Sequence, residues 1–254
     1  MKLLLHVWKS SLGKKYLMAL SGLALVVFAI GHMAGNLQIF LGPEAINRYA
    51  HFLQSTPEIL WPVRLGLLGL AILHIVTALA LWRENNLARP QEYSHGQPPF
   101  GASLASRTMI VSGLIVACFL VYHLLHYTVK LQAINLGAGD FGALTETLRD
   151  GTTRPHVYNM VVAGFSQPLV SLFYALGVGL LCFHLSHGIA AMFQSLGCKN
   201  GAWGPLIDQA AKVIAVVLCV GYLSVPAGVI AKVIKPDVRP QPPALILKHS
   251  TSQP

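Results

Sequence analysis

The chain has 254 residues, of which 54% are hydrophobic and 11% charged, with a formal net charge of +9 and a mean hydropathy of +0.58. A soluble domain carries about 25% charged residues, so this composition excludes an ordinary water-soluble globule. The basic excess does not point to nucleic acid, because the lysines and arginines stand at the ends of long apolar blocks, where they mark membrane topology and meet lipid headgroups.

The four cysteines are isolated, with Cys118, Cys182 and Cys219 inside apolar blocks and Cys198 in a short connection. No Cys-x-x-Cys occurs, which excludes a zinc knuckle, a redox pair and covalent haem attachment; the four read as small hydrophobes.

Residues 1–15 carry Lys2, Lys9, Lys14 and Lys15 and no acid. The apolar run at 3–8 is too short for a signal-peptide core, and the first long apolar run contains His32, Asn36 and Gln38. The sequence therefore predicts an uncleaved first membrane helix over about 16–41. A Gly-Pro break then opens a loop with a short surface helix ending near Pro57. The second helix, 64–83, is bracketed by Arg64 and Arg83 with 18 uncharged residues between them. That is roughly 27 Å of rise, enough to cross the hydrocarbon core.

A polar, Pro- and Gly-rich loop leads to a third helix over about 107–130. A long loop to residue 167 holds Asp140, Glu146, Arg149, Asp150 and Arg154. The fourth helix spans 167–196, a tight turn follows, and the fifth runs over about 209–233 before a Pro-rich extended tail, 235–254. The expected fold is all-α, a single membrane domain of five transmembrane helices. With the N-terminus cytoplasmic, the cytoplasmic segments hold Lys2, Lys9, Lys14, Lys15, Arg83, Arg89, Arg107, Lys199 and Lys212. The outer loops then hold Arg48, Arg64, Lys130, Arg149 and Arg154, together with most of the acids. The bias favours that orientation, although Lys232, Lys235, Arg239 and Lys248 in the tail count against it.

Histidines carry the functional signal. His32, His74, His123 and His184 each lie in a different apolar helix, and an intramembrane imidazole is costly without a partner. His32 is 17 residues past Lys15 and His123 is 16 past Arg107, so both stand roughly 24–26 Å above the cytoplasmic edge. His74, nine residues before Arg83, stands about 13–14 Å above it, and His184 also falls late in its helix. The four sort into an outer and an inner pair, about 10–12 Å apart before tilt. Paired imidazoles from facing helices are what six-coordinate haem iron requires, an arrangement suited to electron transfer. Gly31, Gly35, Gly69 and Gly188 near these histidines would let a macrocycle approach backbone. His126 and His187, each three residues past a candidate, lie on neighbouring faces; depth favours His123 over His126 but does not choose between His184 and His187. The reading from another class is a haem-free histidine-based proton or ion transporter. Against it, the membrane helices hold no Asp or Glu and no inverted repeat.

The stretch "IGHMAGNLQIFLGPEAINRYAHFLQSTP" closely resembles the first helix and loop of the di-haem cytochrome b membrane-anchor subunit of succinate:quinone oxidoreductases, the succinate dehydrogenases and fumarate reductases with a single five-helix anchor. "LHIVTALALWR", "VYHLLHY" and "CFHLSHGIAAMFQSLG" look like its other ligand segments. The resemblance implies two non-covalent b haems, the outer on His32 and His123 and the inner on His74 and His184, with His187 and Arg107 as candidates beside them. It implies flavoprotein and iron–sulfur partner subunits on the cytoplasmic side of a bacterial inner membrane, and electron exchange with menaquinone or ubiquinone as part of the tricarboxylic acid cycle. No succinate site is expected in this chain, which has neither a dinucleotide fingerprint nor a cysteine cluster. Arg48, His51, Glu58 and His126 are the candidates for a quinone site, and Arg64, Arg107, Tyr127 and Lys130 for haem propionates or interfacial anchoring. A di-haem subunit serving formate dehydrogenase or a hydrogenase would use the same bundle.

Overall fold

The computed structural model describes residues 7–88, 104–148 and 150–238. Lys2, residues 89–103 with Arg89, Arg149, and residues 239–254 with Arg239 and Lys248 lie outside the described residues. In chain order the elements are α1 (Ser11–Leu37, extended by a 3-10 turn, Gln38–Leu41), α2 (Pro43–Gln54), α3 (Pro57–Leu87), a single turn α4 (Leu104–Arg107) and α5 (Met109–His123, closing in a π turn, Leu124–Thr128). A hairpin of β1 (Thr145–Thr147) and β2 (Thr153–Pro155) follows, then α6 (Val157–Phe165), α7 (Pro168–Ser195) and α8 (Gly204–Ile230). Five of these helices, α1, α3, α5, α7 and α8, are long and apolar enough to cross a membrane. The chain is an all-α multi-pass membrane bundle.

Local chemistry sets the helix ends. Ser10 caps α1 by accepting from the Gly13 N–H at 2.9 Å. Proline stands in the first turn of α2, α3, α7 and α8, where its missing N–H costs nothing. Gly42, at φ 102°, breaks α1 from α2, and Gly197, at φ 77°, follows α7.

Several boundaries differ from the sequence expectation. The first helix begins at Ser11 rather than near 16, because Lys14 is not at an edge. It is 4% exposed, with its ammonium 2.8 Å from Glu84 Oε1 and donating to the Trp8 carbonyl at 2.7 Å. The second long helix begins at Pro57 rather than Arg64, whose guanidinium lies over the Trp61 ring at 5.4 Å. The last starts at Gly204 and stops at Ile230, since Lys232 adopts φ 58°.

The bundle is apolar outside and partly polar inside. Leu65, Val216 and Leu169 are 62%, 61% and 68% exposed, while Ser21, Thr77 and Ser112 are at most 3% exposed. That inversion suits lipid, where polar side chains turn to neighbouring helices. α1 packs on α3, α7 and α8; α5 packs on α7, and α7 on α8. The α1–α3 pair is antiparallel, with the Ser11 hydroxyl donating to Glu84 at 3.1 Å.

The described residues of 130–167, expected as loop, are held by ion pairs on a buried arginine. Arg154, 3% exposed, places Nη2 2.6 Å from Glu44 of α2 and Nε 2.7 Å from Glu146 across the hairpin. Burial opposes its charge, but the bonds to the two carboxylates outweigh that and hold the guanidinium firmly protonated. Asn47 donates to Glu146 at 2.8 Å and accepts from the Tyr158 N–H at 2.8 Å. Asn159 exchanges two bonds with the Asp237 backbone, at 2.9 and 2.8 Å. The hairpin, α2, α6 and the segment after α8 thus form one cap over an end of the bundle.

Removing Arg154 leaves the half-enclosed Glu146 carboxylate, which also accepts from Asn47, without its guanidinium partner. Arg154→Ala is expected to open this cap, so proteinase K should cut the 137–152 segment of detergent-solubilised protein faster than in the wild type. Equal cleavage rates would contradict the assignment.

Candidate functional site

Two pairs of histidines occupy the bundle at different levels. At the first, His32 of α1 and His123 of α5 face each other with ring centroids 5.8 Å apart and planes at 76°. Phe28, one turn earlier, stacks on His32 at 5.3 Å, and Phe119 lies 6.3 Å from His123. Tyr222 of α8 stands 6.2 Å from His32 and donates to the Ala29 carbonyl at 2.7 Å, which fixes its ring beside the pair. The Tyr174 hydroxyl of α7 is 3.4 Å from His123 Nδ1 and 3.1 Å from His126 Nδ1, so it joins these two imidazoles in one chain.

At the second level, His74 of α3 turns its Nδ1 onto α1. That atom is 3.2 Å from the Met18 carbonyl and 3.3 Å from Ser21 Oγ. His184 of α7 does the same against α5, with Nδ1 3.3 Å from Ser112 Oγ. A carbonyl only accepts, so Nδ1 of His74 must carry the proton; Ser112 donates its own proton to the Met109 carbonyl at 3.2 Å, so its oxygen accepts from Nδ1 of His184 in the same tautomer. Nε2 is left with its lone pair, the form of imidazole that binds metals, and an Nδ1–H···O=C bond is the usual support of a ligating histidine. His184 is also close enough to His74 for the two rings to interact electrostatically.

Glycines define how closely helices approach these rings. A Cβ on Gly22 would stand 3.2 Å from His74 Cε1, and one on Gly113 3.2 Å from His184 Cε1. The glycines singled out by sequence play other parts. Gly35 faces Tyr49, Gly188 faces Met109 at 3.7 Å, and Gly31 and Gly69 face open space. Ser21 and His32 are eleven residues apart, as are Ser112 and His123, or roughly 16 Å of helix rise. That exceeds the spacing expected from flanking charges, because the His74 and His184 rings reach across to residues nearer the starts of α1 and α5.

The remaining candidates are dispersed. His187 is half-buried, and its charged neighbours are Lys199 and Asp208, themselves paired at 2.6 Å. Arg107 is exposed on α4 and Glu58 at the start of α3. Arg48 lines a pocket of about 440 Å³ with Gln38, Leu41, Ala45, Tyr49 and Phe52. His51 does not line that pocket, and the nearby Asp150 carboxylate is held below its usual range mainly by the Thr152 hydroxyl. His126 is fully buried, and its Nε2 and the neighbouring Tyr127 hydroxyl have no hydrogen-bond partner among the described residues. Arg48, His51, Glu58 and His126 therefore do not converge on one site. Nor do three His, Cys, Asp or Glu side chains gather as a metal cluster among the described residues; the histidines come together in pairs.

Sequence reading missed Ser21, Ser112, Tyr174 and Tyr222, the residues that hold the rings. Hydroxyls facing inward from apolar helices were the available signal. No protein-family model, curated protein or solved structure matches the chain.

Packing around His123 is tight enough to test. A Cβ on Gly177 would run into the Phe119 ring, and overpacking a core of this kind costs about 1–3 kcal/mol. Gly177→Val is expected to lower the thermal unfolding midpoint in detergent, and an unchanged midpoint would contradict the packing described.

Proposed function

We propose that this chain is the di-haem cytochrome b anchor subunit of a succinate:quinone oxidoreductase, seated in a bacterial cytoplasmic membrane with its N-terminus inside. The observation that carries the reading is the pairing of imidazoles from facing helices. Two imidazoles on one iron place their ring centres about 6 Å apart, given metal–nitrogen bonds of about 2 Å, and His32 and His123 stand at 5.8 Å. His74 and His184 support it through donor chemistry, each with Nδ1 engaged and Nε2 left basic.

In this reading His32 and His123 hold one b haem, and His74 and His184 the other. Bound haem would supply one-electron transfer with no open position for oxygen. The chain's own residues bind and orient. The Met18 carbonyl and the Ser112 hydroxyl fix the tautomers of His74 and His184, while Phe28, Phe119 and Tyr222 shield the His32–His123 level. Arg48, Gln38 and Tyr49 offer hydrogen bonds to a quinone headgroup, against Leu41, Ala45 and Phe52. Gln38 is six residues beyond His32, roughly 9 Å of helix rise, which suits electron exchange at that level. Succinate chemistry belongs to flavoprotein and iron–sulfur partners, as the sequence resemblance implies. A di-haem anchor of another dehydrogenase would use the same residues, and co-purifying subunits distinguish the two.

One observation favours the haem-free reading. The chain His123–Tyr174–His126 is what a proton-conducting protein would use. The two readings part on absorbance. Purification from native membranes is expected to give two b haems per chain with a flavoprotein attached, and no b-type spectrum would overturn the proposal. His32→Ala is expected to remove one haem and spare the other, and His184→Ala to remove the second. Loss of a haem in His187→Ala with both retained in His184→Ala would reverse the ligand assignment on α7.

A further inference from the structure

Two stretches 91 residues apart repeat one pattern. In α1, Met18-x-x-Ser21-Gly22-Leu23 is followed by Phe28 and His32; in α5, Met109-x-x-Ser112-Gly113-Leu114 is followed by Phe119 and His123 at identical spacing. Their partner helices share a shorter match, Gly69-Leu70 before His74 and Gly179-Leu180 before His184. The contacts repeat with the letters. Each phenylalanine lies against the histidine four residues on. Each serine stands 3.3 Å from Nδ1 of a histidine on the neighbouring helix, and each glycine leaves the same 3.2 Å clearance for that ring's Cε1. The α1–α3 and α5–α7 hairpins are thus two copies of one unit, each contributing one imidazole to each level.

The serines are oriented to accept. Ser21 spends its proton on the Leu17 carbonyl at 2.7 Å, and Ser112 donates to the Met109 carbonyl at 3.2 Å. A lone pair of each hydroxyl is left for the Nδ1–H beside it, which His74 shares between Ser21 and the Met18 carbonyl. Accepting that proton makes the imidazole a stronger donor through Nε2 and fixes its rotation. The other level has no such symmetry: His123 meets Tyr174 at 3.4 Å, and no hydrogen bond reaches the His32 ring among the described residues.

We propose that Ser21 and Ser112 are a matched pair of positioning residues that set the ring orientation and donor strength of His74 and His184, and so tune the His74–His184 centre alone. This rests on the haem reading above. A stronger imidazole donor favours ferric iron, so removing either hydroxyl raises the reduction potential of that centre. A serine present only for helix packing would leave the potential where it is.

The test is a redox titration of the complex purified from native membranes, followed by optical and EPR spectra. Ser21→Ala and Ser112→Ala are each expected to shift one centre upward by similar amounts. The double variant should shift it further, the other centre should stay fixed, and Ser21→Thr and Ser112→Thr should keep the wild-type value. An unchanged potential and spectrum in both alanine variants, or an equal shift of both centres, would overturn the proposal. Should the alanine variants fail to assemble, Gly22→Ala and Gly113→Ala press on the same rings, and unaltered EPR g values of that centre would overturn it equally. The haem reading is judged separately, on the wild type, where the absence of b haem would remove both.

Discussion

A hydrogen bond from an imidazole Nδ1–H to the neighbouring helix is the interaction on which this bundle turns. A polar group without a partner in hydrocarbon costs several kcal/mol, and His74 and His184 each find theirs on a neighbouring helix. For His74 the acceptor is the Met18 carbonyl, and for His184 it is the Ser112 hydroxyl. The bond fixes which helices must touch and at what register. It also decides which nitrogen keeps its lone pair. Fold and chemistry thereby follow from one contact, since the geometry that satisfies Nδ1 directs a basic Nε2 away from the supporting helix.

The two levels of the bundle differ in consequence. At His74 and His184 the supports are duplicated, with serine and glycine repeated on both sides. At His32 and His123 they are not: one ring rests on Phe28 and Tyr222, the other on Phe119 and the Tyr174 hydroxyl. Tyr174 leads on to His126 beneath the cap built by Arg154, Glu44 and Glu146. Two centres held by such unequal surroundings would have unequal potentials.

The five membrane helices were legible in the sequence because lipid demands long uninterrupted apolar runs, and the histidines because nothing else in those runs is basic. The hairpin and α6 were not legible. Arg154 meets Glu44 across 110 residues of sequence, so charges that satisfy one another in the fold look, on the page, like a solvated loop. Lys14 misled for the same reason, since its partner Glu84 sits at the far end of the next membrane helix. Ser21 and Ser112 stood in view, twice in the same phrase. Their role depends on rings from α3 and α7 that sequence alone does not bring alongside. Of the quinone-site candidates, His51 and Arg48 lie on one amphipathic helix, but only Arg48 lines the pocket.

The central claim is that each iron would be held by two imidazoles, one from each hairpin. Low-temperature EPR of the oxidised wild-type complex tests it most directly. The account predicts two low-spin ferric signals of the bis-imidazole type, with no high-spin signal. A high-spin ferric signal from intact protein, or no haem signal at all, would contradict it.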